Sequence, residues 1–282
     1  QDRTREHAHE RKVRIARELA DMSQEVLKEQ NWALDLDLDF GMGCFVEDLM
    51  LHPFDISEGN FSMEKAGDLM LRKTGSYQPV DYHLGKVPEK EDGGYRTALL
   101  TGANSGGKTT LLMTIAQIVM MANMGLPVPA EKASIPKITS LYIYRPKRML
   151  DAGGLEGFLK ELLPLSQYVD GSSMVLADEL EAMTELEAAS RIIGVFLKEL
   201  EKKGAFSVIV THMADEILRF ANCRVDGIEA KGLDEKHNLI VDRTPRIGHH
   251  ARSTPELIIR RLEAKASGKE KEVFSRVLKS FE

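Results

Sequence analysis

The chain has 282 residues, 43% of them hydrophobic, and a formal charge of −6. That length supports one large core, or one core with an appendage. The negative charge excludes a general attraction to polyanions, so any DNA contact would be local or made by segments outside this chain. The longest apolar candidate, TIAQIVMMANMGL, is interrupted and too short to span a membrane.

Residues 4 to 30 lack Gly and Pro, and place Val13, Ala16, Leu19, Met22 and Val26 at three-to-four spacing. This predicts a long amphipathic helix, either lying on the domain or forming the stump of a helical arm. Its dense charge gives no signal peptide, and the opening Gln1 reads as a piece of a longer protein. In NWALDLDLDFG, Leu34, Leu36, Leu38 and Phe40 alternate with Asp35, Asp37 and Asp39. Period two predicts a half-buried strand with the acids in water. A calcium loop is disfavoured, because the glycine falls at loop position seven and Val46 stands where a glutamate is needed. Cys44 and Cys223 lie in no C-x-x-C pair and read as small core residues in a reducing, cytoplasmic setting.

Residues 41 to 96 are punctuated by Pro and Gly around short apolar runs and end in the polar KVPEKEDGGYR tip. Then TALLT, a strand, leads into TGANSGGKTT and a helix to about Gly125. Gly102, Gly107, Lys108 and Thr109 satisfy G-x-x-x-x-G-K-[ST], and strand–loop–helix is the setting a phosphate loop requires. GSSMVLADE and FSVIVTH are further apolar strands with a helix between them, over about 185 to 203. The alternation predicts a mainly parallel sheet with ligands at its carboxyl ends, where Gly102, Asp178, Glu179 and His212 fall. NCRVDGIEA and NLIVDRT are expected to pair antiparallel. Ser253 or Thr254 would cap a helix beginning at Pro255, and a last amphipathic helix carries Val273, Phe274, Val277, Leu278 and Phe281.

The loop amides of Gly102, Ala103, Asn104, Ser105, Gly106, Gly107 and Thr110 are expected to close around the phosphates of ATP, with Lys108 on the β and γ groups. The Thr109 hydroxyl and Asp178 would hold Mg2+, Glu179 would orient or deprotonate the attacking water, and His212 would sense the γ-phosphate. A carboxylate aimed at water favours hydrolysis over a small-molecule kinase reaction.

These motifs resemble the ATPase domain of the MutS family of DNA mismatch-repair proteins, within the ABC-type superfamily. TGANSGGKTTLL is similar to the family's T-G-x-N-x-G-G-K-[ST] loop, and QIVMMANMGLPVPAEKASIP to the helix and V-P-A segment after it. VLADEL resembles the Walker B strand, IVTHM the switch histidine, and GHHARSTPELIIRRLEA the end of the domain. YQPVDYHLG is faintly similar to an upstream pattern. The likeness covers about residues 65 to 266. It implies an α/β P-loop NTPase of ABC type: a mainly parallel sheet with added antiparallel strands and an N-terminal helical segment. Residues 1–31 would be the helix, 32–266 the ATPase domain, and 267–282 a C-terminal helix. It also implies a homodimer formed through the ATPase face, DNA engaged through other segments, no membrane, and a cytoplasmic, nucleoid-associated location. Tyr77 and Tyr82 are candidates to stack on adenine.

The family signature S-x-S-T-F-x-x-E is altered. GGLEGFLKEL keeps Phe158 and Glu161 but has Gly153, Glu156 and Gly157 where Ser and Thr are usual. A glutamate there would repel the partner's γ-phosphate. EAMTELEA likewise replaces the loop after Walker B. The chain therefore reads as a divergent branch, like the MutS-related proteins without mismatch-reading domains. Alternatives are a nucleotide switch with weak or lost hydrolysis, or another ABC-type ATPase. Phe45-x-Glu47 resembles the family's mismatch wedge, but that motif belongs to a separate domain, so Phe45 is expected in the core.

Overall fold

The computed structural model describes residues 2–75, 77–87, 93–103, 106–145, 154–180, 186–233, 239–251 and 255–280. The chain divides into two units, Gln1–Met50 and Leu51–Glu282. The first is a single helix, α1 (Asp2–Asp48). It runs past residue 31 and straight through the Leu–Asp alternation, so the expected strand does not form. Leu and Ala favour helix, and no β-branched residue occurs from 31 to 43 to oppose it. Period two fixes a strand only where one face is covered. Here Leu34, Leu36, Leu38 and Phe40 are all exposed. Phe45 also departs from expectation, at 39% exposed on α1, and so does exposed Cys44. Cys223 is buried as expected.

In the second unit, β1 (Asp55–Ser57), β2 (Asn60–Ala66), a short α2 (Leu69–Lys73) and β3 (Val80–Gly85) come first. Then follow β4 (Thr97–Gly102), α3 (Lys108–Asn123), β5 (Lys132–Pro136), β6 (Ser140–Tyr144) and α4 (Gly154–Tyr168). β7 (Ser173–Asp178), α5 (Leu186–Lys202), β8 (Phe206–Val210), α6 (Ala214–Ile217) and β9 (Arg224–Ile228) complete the central part. The chain ends with β10 (Ala230–Leu233), β11 (Leu239–Val241), α7 (Pro255–Lys265) and α8 (Lys269–Leu278).

The main sheet has the order β6-β7-β8-β4-β9, with every neighbouring pair parallel. β4, β7 and β8 are buried at every position, which is why they read as unbroken apolar runs. Ile193, Phe196, Leu197 and Leu200 of α5 close over Leu99, Val175, Ala177 and Ile209. Each such buried side chain contributes about 1.5–3 kcal/mol relative to exposure. Leu111, Leu112, Ile115, Ile118 and Val119 are the buried stripe of α3.

A second sheet, β1-β5-β2-β3, pairs antiparallel except between β1 and β5. The expected pairing of 222–230 with 238–244 holds only from Ala230, which pairs with Val241; before it, β9 joins the main sheet in parallel beside β4. Four of the five β9 residues are buried, a pattern that suits the sheet better than an exposed ribbon. β5 and β6, within stretches that sequence reading left unassigned, complete the two sheets. Pro255 opens α7 as predicted, while the capping candidates Ser253 and Thr254 lie outside the described residues. None of the described helices is long and apolar enough to cross a membrane.

Candidate functional site

β4 delivers the chain to the phosphate loop at Gly102. That residue has φ 124, and a Cβ there would lie 2.1 Å from the Ile228 carbonyl oxygen of β9, so only glycine fits. Gly107, at φ 94, turns the loop into α3. Lys108 follows at the first helical position and is only 4% exposed. Its Nζ donates to the carbonyls of Gly102 at 2.7 Å and Ala103 at 3.0 Å, so the ammonium is held inside the loop's own ring. The helix start brings unpaired N–H groups and the positive end of the helix dipole to the same place. Thr110 lies on the first turn, and Asn104 and Ser105 lie outside the described residues.

The next side chain, Thr109, connects this loop to β7. Its hydroxyl donates to Asp178 Oδ2 at 2.8 Å, bridging residues 69 positions apart. Two hard oxygens meet there, the donor type Mg2+ takes, with remaining positions left for water and phosphate. Among the described residues no three His, Cys, Asp or Glu side chains gather in a way that could hold a metal. A cation here would therefore depend on oxygens that its ligand supplies.

Glu179 leaves β7 in the left-handed region, φ 49, a conformation that is costly for a residue with a side chain. Its N–H donates to the Val210 carbonyl at 3.0 Å, which fixes the turn at the sheet edge. On the neighbouring strand, the N–H of Thr211 donates to Leu100 O, and its hydroxyl accepts from the N–H of Met213. This tight turn presents His212, whose Nε2 lies 3.5 Å from Glu179 Oε1. Lys108, Thr109, Asp178, Glu179 and His212 thus gather at one edge of the sheet. Gly153 and 181–185 lie outside the described residues, and Glu156, Gly157, Phe158 and Glu161 fall on α4.

Beside the loop, a pocket is lined by Asp68, Tyr77, Gln78, Gly107, Thr110 and Arg243. The Arg72 guanidinium stands 5.1 Å from the centre of the Tyr77 ring. Gln78 clips the far wall: its side-chain oxygen accepts from the N–H of Arg243 at 3.2 Å and its nitrogen donates to Asp242 at 3.3 Å. Asp242 is held below the usual carboxylate range, first by the hydrogen bond from Lys231. Of the two tyrosines named from sequence, Tyr77 faces this pocket. Tyr82 does not: it is 1% exposed, and its hydroxyl donates to Asp226 at 2.8 Å. Burial, then the Asp226 charge, raises the Tyr82 phenol well above its ordinary pKa.

Sequence reading missed Arg145, whose Nε lies 3.7 Å from Asp178 Oδ2, and the Gln78–Arg243 wall. Arg145 follows β6, and the signal was present in SLYIYR, an apolar strand ending in a charged residue just as SMVLADE does. LIVDR shows the same pattern before Arg243, while none marks Gln78.

A phosphate loop between a buried central strand and a helix, at the carboxyl edge of a parallel sheet, defines the P-loop NTPase fold. Residues 98–245 match MutS domain V. A protein from Pyrococcus furiosus named DNA-binding protein MutS2 is 47% identical over 210 residues, covering 72% of this chain and 37% of that one. Endonuclease MutS2 of Caldicellulosiruptor bescii is 25% identical over 235 residues, covering 77% of this chain and 28% of its own length. MutS protein homolog 4 of Candida albicans is 32% identical over 166 residues, 56% of this chain and 21% of that protein. The chain belongs to the MutS family. It spans 37% and 28% of the two MutS2 relatives, so it corresponds to only part of each.

Proposed function

We propose that this chain is the ATP-binding and ATP-hydrolysing part of a MutS-related DNA-repair or recombination protein. The observation that carries the reading is the Thr109–Asp178 contact at 2.8 Å, with buried Lys108 on one side and the Glu179–His212 pair on the other. Lys108 and the loop amides bind the β and γ phosphates. Its present partners are loop carbonyls, so it is already desolvated and oriented at little further ordering cost. Thr109 and Asp178 fit Mg2+, which when bound supplies charge stabilisation at the phosphate oxygens. Glu179 accepts the proton of the attacking water, and His212, beside its carboxylate, holds that water against the γ-phosphate. The base lies in the pocket between Tyr77 and Arg243.

The cycle is expected to run in a homodimer and to couple nucleotide state to DNA engagement; the relatives' names speak, for their own chains, of DNA binding and endonuclease action. Glu179→Gln tests the assignment. It should retain ATP binding and lose about a hundredfold to ten-thousandfold in phosphate release, while Lys108→Ala abolishes binding. Unchanged turnover in Glu179→Gln overturns the reading. Turnover per molecule that rises with protein concentration supports the dimer.

A further inference from the structure

The main sheet lines up its strand ends. Tyr144 is paired with Ala177, and Asp178 with Val210, so Arg145 stands level with Asp178 on the neighbouring strand. Its Nε approaches the same carboxylate oxygen that accepts the Thr109 hydroxyl, at 3.7 Å and 2.8 Å respectively. That oxygen therefore has a cation beside it at the point where the proposed site would place another.

A structural role does not account for the contact. The Arg145 side chain is 55% exposed, against 12% for Asp178, and its Nε stands beyond hydrogen-bond range of the carboxylate. A pair with one partner largely in water and no hydrogen bond between them contributes little to stability. Asp178 is already anchored by Thr109, and β6 is held by its ladder to β7. Arg145 is, however, within side-chain reach of whatever Thr109 and Asp178 hold. A divalent cation on those oxygens would repel the guanidinium from the carboxylate. A triphosphate beside it offers oxygens that match the planar fork of arginine.

We propose that Arg145 is a phosphate-contacting residue of this site. It rests on Asp178 when nucleotide is absent and turns to the terminal phosphate when nucleotide is bound. The donor comes from the same chain, on the strand next to Walker B, and offsets the negative charge that Asp178 and Glu179 place beside the γ-phosphate. The inference rests on the reading of the site as an ATPase centre.

Equilibrium binding of fluorescently labelled ATP and ADP, with magnesium, tests it on the full chain in a Glu179→Gln background that keeps ATP intact. Adding Arg145→Ala should weaken ATP about tenfold to a hundredfold, the loss expected for a charge-assisted hydrogen bond, and leave ADP within about twofold. Arg145→Lys should recover part of the ATP affinity, and thermal unfolding should stay at the parent value. ATP affinity unchanged by Arg145→Ala overturns the inference, as does equal weakening of ATP and ADP. If the Glu179→Gln parent itself binds neither nucleotide, it is the ATPase reading that fails.

Discussion

Asp226 lies wholly buried on β9, opposite Leu100 of the strand that feeds the phosphate loop. Its carboxylate accepts from the Tyr82 hydroxyl at 2.8 Å, from Arg224 Nε at 3.1 Å and a terminal nitrogen at 3.0 Å, and from the N–H of Gly248 at 3.1 Å. Arg224 is buried too. Burial works against its charge, but Tyr82 and Asp226 outweigh it and hold the guanidinium pKa above its usual value. Asp226→Ala would strand that cation, and breaking a buried pair from one side costs about 3–5 kcal/mol. Tyr82 and Gly248 lose an acceptor as well, but within one network the losses overlap, so about 4 kcal/mol is the working figure. Against a typical total of about 5–15 kcal/mol this is a large share. At about 2–4 °C per kcal/mol for a chain somewhat shorter than this one, the midpoint should fall by roughly 8–16 °C.

Denaturant unfolding should show a lower midpoint with an unchanged slope. Far-ultraviolet circular dichroism is the right probe, because the only tryptophan, Trp32, sits 68% exposed on α1 and would report on that helix. Replacing both charges, Asp226→Leu with Arg224→Met, should restore at least half the loss, since an apolar pair leaves no ion uncompensated. An Asp226→Ala protein within about 1 kcal/mol of the parent would refute the network as an organiser of β4 and β9, given the cost expected for an unpaired buried charge.

Tyr77→Ala should weaken ATP and ADP alike by about tenfold, the scale of a stacking contact, while competition by inorganic tripolyphosphate stays at the parent value; titration of a fluorescent nucleotide reads both. Burial raises the Cys223 thiol to about 12, so the folded protein favours the protonated form. This contribution to stability is fully present below the unfolded-state pKa of 9.0 and is lost as pH rises from there towards 12, visible as a falling unfolding midpoint. At neutral pH a thiol reagent should modify exposed Cys44 in the native protein and reach Cys223 only after denaturation, as counted by mass spectrometry.

The proposed phosphate half of the site has local determinants in the sequence. Gly102, Gly107, Lys108 and Thr109 lie within eight residues, and Asp178 and His212 each end a run of apolar residues that could only be a buried strand. The β9 misreading has a different origin. Arg224 and Asp226 give that segment the alternating charge of a strand with one face in water, whereas the two ions neutralise each other inside the sheet. Charge in a sequence signals exposure only until a partner is known, and the partners Tyr82 and Gly248 come from distant segments. The α1 error is the reverse case. Alternation in residues 34–40 carries strand information only if something covers one face, and the exposed leucines there left helix propensity to decide.

Of the proposed base half of the site only Tyr77 was among the candidates read from sequence, because no single window of the chain holds the pocket. Tyr77 precedes β3, Gly107 and Thr110 begin α3, and Arg243 follows β11, so the pocket spans more than 160 residues. Gln78 joins two of these walls through two hydrogen bonds longer than 3 Å. Such contacts are individually weak. The contacts of Lys108, Thr109 and Asp178 are shorter and better shielded. On the proposed reading, the phosphate grip is the more tightly held part of the site and the base wall the less tightly held one. In that reading the chemistry depends on the Thr109 and Asp178 oxygens, on α3 and β7, and not on the base wall.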